Sequence, residues 1–70
     1  MSFKTRKVLR AFLQHGFVVL REGSNHTIIR RPSDGVQIAV PCHPDVKRGT
    51  VRGMAMDAKL DWTEFKREVS

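Results

Sequence analysis

A small α+β fold, ordered α-β-β-β-α with a three-stranded antiparallel sheet and helices on one face, follows from three observations in this sequence. Apolar residues recur at helical spacing near both ends, apolar and polar residues alternate at period two in the middle, and clusters of Gly, Pro, Ser and Asn separate these segments. An antiparallel sheet covered on one side leaves its other face to solvent or a ligand. Seventy residues make room for one domain with a small core, so residues 1–70 are read as one unit.

The first helix is expected from Phe3 to His15, where Val8, Leu9, Ala11 and Phe12 form an apolar stripe and Gly16 supplies a stop that tolerates positive φ. Phe17–Glu22 is too short for another helix and opens on aromatic and β-branched residues, as a strand does. Gly23-Ser24-Asn25 favours a tight reversal, and His26–Arg31 returns as the second strand of a hairpin. Pro32-Ser33-Asp34-Gly35 carries turn chemistry, and Val36–Val40 alternates, with Val36, Ile38 and Val40 toward the core.

Pro41 is expected to end that strand, and Cys42–Gly49 reads as an ordered loop. Thr50 is then placed to cap a second helix in which Val51, Met54, Ala55 and Ala58 share a face up to Lys59. A last helix is expected from Asp61, with a reciprocal cap between Asp61 and Glu64 and a buried stripe of Trp62, Phe65 and Val69.

With 40% hydrophobic and 29% charged residues, the chain has the apolar surface of a folded unit. It has no run of apolar residues long enough to span a membrane, and its first residues lack a signal-peptide core, so a cytoplasmic protein without membrane contact is expected. Cys42 is the single cysteine, which rules out an internal disulfide and multi-cysteine metal sites.

Thirteen Lys and Arg against seven Asp and Glu give a net charge of +6, which points to a polyanionic partner. Residues 1–33 hold seven basic side chains and one acid, whereas residues 34–70 hold six of each sign. The excess charge therefore lies entirely in the first half.

Most enzyme classes lack their minimum parts here: no glycine-rich phosphate loop, no paired carboxylates and no metal-ligand spacing is present. His26 stands out, following a turn and lying near Arg21, Arg30 and Arg31 in sequence. Histidine is the side chain best suited to move protons near neutral pH, so this position suits a phosphodiester site; a surface imidazole that merely bonds its surroundings fits the same position. Strand parity groups His26 with Ile28 and Arg30, and Thr27 with Ile29 and Arg31. An Ile on each face leaves the orientation open, but if Ile29 is core, His26 and Arg30 meet solvent together.

Val8-Leu9-Arg10-Ala11-Phe12 through Gly16-Phe17, then Gly23-Ser24-Asn25-His26, Val40-Pro41, His43, and Lys47-Arg48-Gly49-Thr50-Val51-Arg52 follow one another along the chain. Taken in this order, these stretches resemble the HicA-type toxins of bacterial toxin–antitoxin pairs. The resemblance spans nearly the whole chain. It implies a fold similar to the double-stranded RNA-binding domain and a metal-independent endoribonuclease acting on mRNA (an mRNA interferase), with no cofactor and with a HicB-type antitoxin as partner. The family's catalytic histidine falls on His26. Many members carry a second histidine where this chain has Asn25, which leaves the second catalytic group open; His43 is a candidate for it, and a loop residue that only bonds backbone fits that position as well. The family often has Gly where this chain has Lys59.

Two functions fit these residues. In the first, Lys4, Lys7, Arg10, Arg21, Arg30, Arg31 and Lys47 hold RNA by its phosphates, His26 is the general acid/base, and Arg30 or Lys47 stabilises developing charge. In the second, the chain is a small basic RNA-binding module without catalysis. A DNA reader fits less well, since Arg48 and Arg52 flank a helix that carries no series of base-reading side chains. The oligomeric state is left open, a monomer being the simplest free form.

Overall fold

The computed structural model describes residues 1–70. Its elements are β1 (Ser2–Lys4), α1 (Thr5–Gln14), β2 (Val18–Glu22), β3 (His26–Arg31), β4 (Val36–Pro41), β5 (Asp45–Lys47), α2 (Arg48–Asp57) and α3 (Trp62–Val69). The α-β-β-β-α order holds, and β2-β3-β4 form an antiparallel sheet in that order.

Helix α1 buries Val8, Ala11 and Phe12, and it ends as its sequence dictates. Gly16 takes φ +91°, which lets the Gly16 N–H bond the Leu13 carbonyl and the Phe17 N–H bond the Phe12 carbonyl. The same turn brings the Phe17 ring edge-on to Phe12, with centroids 5.3 Å apart. Phe17 thus belongs to the helix cap, and the strand begins one residue later than expected.

A second sheet, absent from the sequence reading, pairs β1 with β5 and sets Phe3 opposite Val46. The first helix consequently starts at Thr5 rather than Phe3, and the loop expected from Cys42 to Gly49 contains a strand. Thr5 N–H bonds the Pro44 carbonyl and Arg48 N–H bonds the Met1 carbonyl, both at 3.0 Å. Three-residue strands carry too little alternation to be recognised alone; this pair is fixed by long-range bonds and by burial of Val46.

Helix α2 begins at Arg48 with Lys47 at the cap position, so Thr50 lies within the first turn and caps nothing. Val51, Met54, Ala55 and Ala58 are buried as the spacing requires. Asp61 does occupy the cap position of α3, but its side chain makes no capping bond and the expected exchange with Glu64 is absent. Phe65 and Val69 are buried, while Trp62 is half-buried with its ring edge-on to Phe3. β4 runs through Pro41, one residue past the expected end, since a proline is tolerated at the end of an edge strand.

Fourteen buried residues, all apolar, form one cluster between the helices and one face of the sheet. Ile29 is fully buried in it, which settles the parity of β3 and turns His26, Ile28 and Arg30 to the uncovered face. No helix is long and apolar enough to cross a membrane.

Candidate functional site

The β2–β3 hairpin shapes the uncovered face at its turn. Gly23 N–H bonds the His26 carbonyl at 2.8 Å, and Cys42 N–H bonds the Asn25 carbonyl at 3.0 Å, so the turn is held from its own strand and from the far end of β4. The Cys42 thiol adds weak contacts, 3.7 Å to the Gly23 carbonyl and 3.8 Å to the Thr27 hydroxyl. A Cβ at Gly23 would lie 3.2 Å from the His26 carbonyl oxygen, so glycine permits this close approach.

Beside the turn lies an open depression of about 330 Å³, lined by Arg21, Gly23–Asn25, His26 and the cross-strand pair Ile28 and Ala39. His26 is exposed. It is the one imidazole in this lining, and Arg21 is the one cation. Such an arrangement can hold an anion beside a proton-transfer group with an apolar floor beneath.

The other expected residues divide among separate places. Arg30 shares the face of His26, yet its guanidinium lies at the other end of β3, with Nη2 3.6 Å from the position a Cβ on Gly35 would take. Arg31 faces the helices, where it binds Asp34 and donates to the Ala58 carbonyl at 2.8 Å, so its fork is already engaged. Lys47 lies on β5 opposite Ser2, in the second sheet. His43 follows the cross-strand partner of His26, Pro41, by two residues, and its carbonyl accepts a hydrogen bond from the Thr5 hydroxyl.

Lys7 and Arg10 project from α1 and, with Arg6, line another open depression of about 380 Å³. Lys4 precedes them at the end of β1. Arg6 was not among the expected contacts; its spacing of four from Arg10 on one helix already placed the two side by side. No three His, Cys, Asp or Glu side chains converge into a cation-holding group.

A family model described as the HicA toxin of bacterial toxin–antitoxin matches residues 5–60. The chain belongs to the HicA toxin family. The match runs from the first residue of α1 through the end of α2 and includes the whole hairpin that carries His26, whereas β1 and α3 lie outside it. No curated protein matches this HicA-family chain. Membership makes it the toxin of a toxin–antitoxin pair, with an antitoxin as its counterpart.

Proposed function

We propose that this HicA-family toxin is a metal-independent endoribonuclease that cleaves mRNA, with His26 as general acid/base. The observation that carries the reading is the exposed His26 imidazole in an open depression, on a sheet face that no helix covers, beside a cation able to hold phosphate.

An RNA strand supplies its own nucleophile. Neutral His26 takes the proton of a ribose 2′-hydroxyl, the 2′-oxygen forms a bond to the adjacent phosphorus, and the bond from phosphorus to the 5′-oxygen breaks. Water or a second acid then gives a proton to the leaving oxygen, yielding a 2′,3′-cyclic phosphate and a 5′-hydroxyl. Such proton transfer is typically worth about 10²–10⁴ in rate, and the chemistry requires no metal or cofactor. His43, close in chain to the cross-strand partner of His26, is the candidate for the second proton transfer.

The cations of the first half, Lys4, Lys7 and Arg10 on the helix side and Arg30 on the open face, hold the polyanion, and Lys47 adds charge from the second sheet. A HicB-type antitoxin of acidic character silences the toxin by covering the His26 depression. Incubation of end-labelled RNA with antitoxin-free protein in EDTA tests the activity. The expected products carry 2′,3′-cyclic phosphate ends; RNA that is bound but left intact would assign the chain to non-catalytic RNA binding.

A further inference from the structure

The pairing of β2 with β3 contains an irregularity that changes which side chain stands next to His26. Val18 is opposite Arg30 and Val19 opposite Ile29, so uninterrupted pairing would set Leu20 against Ile28 and Arg21 against Thr27. Residues directly opposite one another share a face. Thr27 shares its face with the buried Ile29, and that register would turn Arg21 toward the helices. Instead, Leu20 is extruded as a bulge and Arg21 stands opposite Ile28. This one-residue shift moves Arg21 to the uncovered face, where it lines the depression with His26, Ile28 and Ala39.

The extrusion leaves Leu20 55% exposed on an edge strand. A bulge there can blunt an edge against unwanted pairing, and it can also re-aim a side chain beside a site. Blunting alone does not call for a cation in the depression. The two other cations considered for the reacting phosphate are elsewhere, Arg30 with its guanidinium beside Gly35 and Lys47 in the second sheet. Four residues of extended strand separate His26 from Arg30, a span of roughly 13 Å.

We propose that the Leu20 bulge exists to deliver Arg21 to the scissile phosphate, and that Arg21, rather than Arg30 or Lys47, is the catalytic cation that acts with His26. This rests on the nuclease reading above. The planar guanidinium donates two parallel hydrogen bonds to the non-bridging phosphate oxygens. Those oxygens gain charge as the 2′-oxygen bonds to phosphorus and before the 5′-oxygen leaves, so the bonds are stronger in the transition state than in the bound substrate. Arg21 is exposed and forms no salt bridge within the protein, so the fork is free to do this.

The test is single-turnover cleavage of a short labelled RNA in EDTA by the wild type, Arg21→Gln, Arg21→Lys and Arg67→Gln, with affinity measured separately on the same RNA bearing 2′-O-methyl groups. Arg67→Gln removes the same charge from α3 and serves as the control. Arg21→Gln is expected to slow cleavage by about 10²-fold while weakening binding by less than about tenfold, with Arg21→Lys in between and Arg67→Gln near wild type. Equal losses in Arg21→Gln and Arg67→Gln, or a loss confined to binding, would overturn the assignment. If the wild type cleaves nothing, the nuclease reading fails on its own, and NMR titration with the 2′-O-methyl RNA decides the remaining point. Concerted shifts of the Arg21 Nε–H and His26 ring signals support a shared phosphate; a His26 shift with Arg21 unmoved overturns it.

Discussion

Arg31 and Asp34 are joined by two parallel hydrogen bonds, 3.0 Å from Nε to Oδ1 and 2.7 Å from Nη2 to Oδ2. The hydrogen bonds from Arg31 hold the Asp34 carboxyl at about 2, below its ordinary 3.8, and the Arg31 pKa is raised in turn by Asp34. A carboxyl lowered in the folded state stabilises the fold above its unfolded pKa, and that contribution disappears as pH falls through the folded value. Thermal melts of the wild type should therefore lose stability between about pH 4 and pH 2, and Asp34→Asn should flatten that limb. Parallel curves for the two proteins would show that the pair is not linked to folding.

Arg31 also donates to the Ala58 carbonyl at the end of α2 and lies over the Phe17 ring, 5.1 Å from its centroid. Replacing it with Ala strands a part-buried carbonyl and removes a cation–π contact as well as the ion pair. Arg31→Ala is expected to cost about 1–3 kcal/mol, more than Asp34→Asn, as read by urea denaturation. Equal losses would mean that only the ion pair matters.

Lys59 sits at φ +60° just past α2, where its N–H bonds the Met56 carbonyl and the Leu60 N–H bonds the Ala55 carbonyl. This is the same termination that Gly16 provides for α1, performed here by a residue with a Cβ. Lys59→Gly should raise stability by about 1 kcal/mol, or about 4–8 °C in Tm for a domain of this size. A lower Tm would show that the lysine side chain outweighs the backbone strain.

Much of this architecture was legible in the residues. The α1 stripe, the Gly16 stop, the hairpin and the α2 stripe obey local periods and turn chemistry, and the resemblance to HicA toxins placed a glycine preference at position 59, where the backbone is left-handed. The face of β3 was not legible, because Ile28 and Ile29 offer either side and tertiary packing chose Ile29. Nor was the β1–β5 pair, which depends on residues more than 40 positions apart in sequence. At the candidate site, a turn leading into the strand of His26 was legible, but not which cation stands beside that histidine: Arg21 lines its depression, whereas the Arg30 guanidinium and Lys47 lie elsewhere. Parity in a continuous strand says nothing of a bulge, so Arg21 could not be distinguished from the other arginines.

The tight approach of Gly23 to the His26 carbonyl makes the turn sensitive to a single methyl group. Gly23→Ala should leave the fold intact and reduce cleavage by about tenfold or more, since small displacements of a catalytic group are costly. Circular dichroism and single-turnover kinetics together check this. Unchanged kinetics would mean that the turn accommodates the methyl group without moving His26.

The most direct measurement compares cleavage of one RNA by the wild type and by His26→Ala, with the affinity of both for the 2′-O-methyl form measured alongside. Loss of one exposed imidazole should barely alter charge-driven binding, while cleavage should fall by about 10²–10⁴. Equal cleavage by the two proteins would contradict the central role of His26.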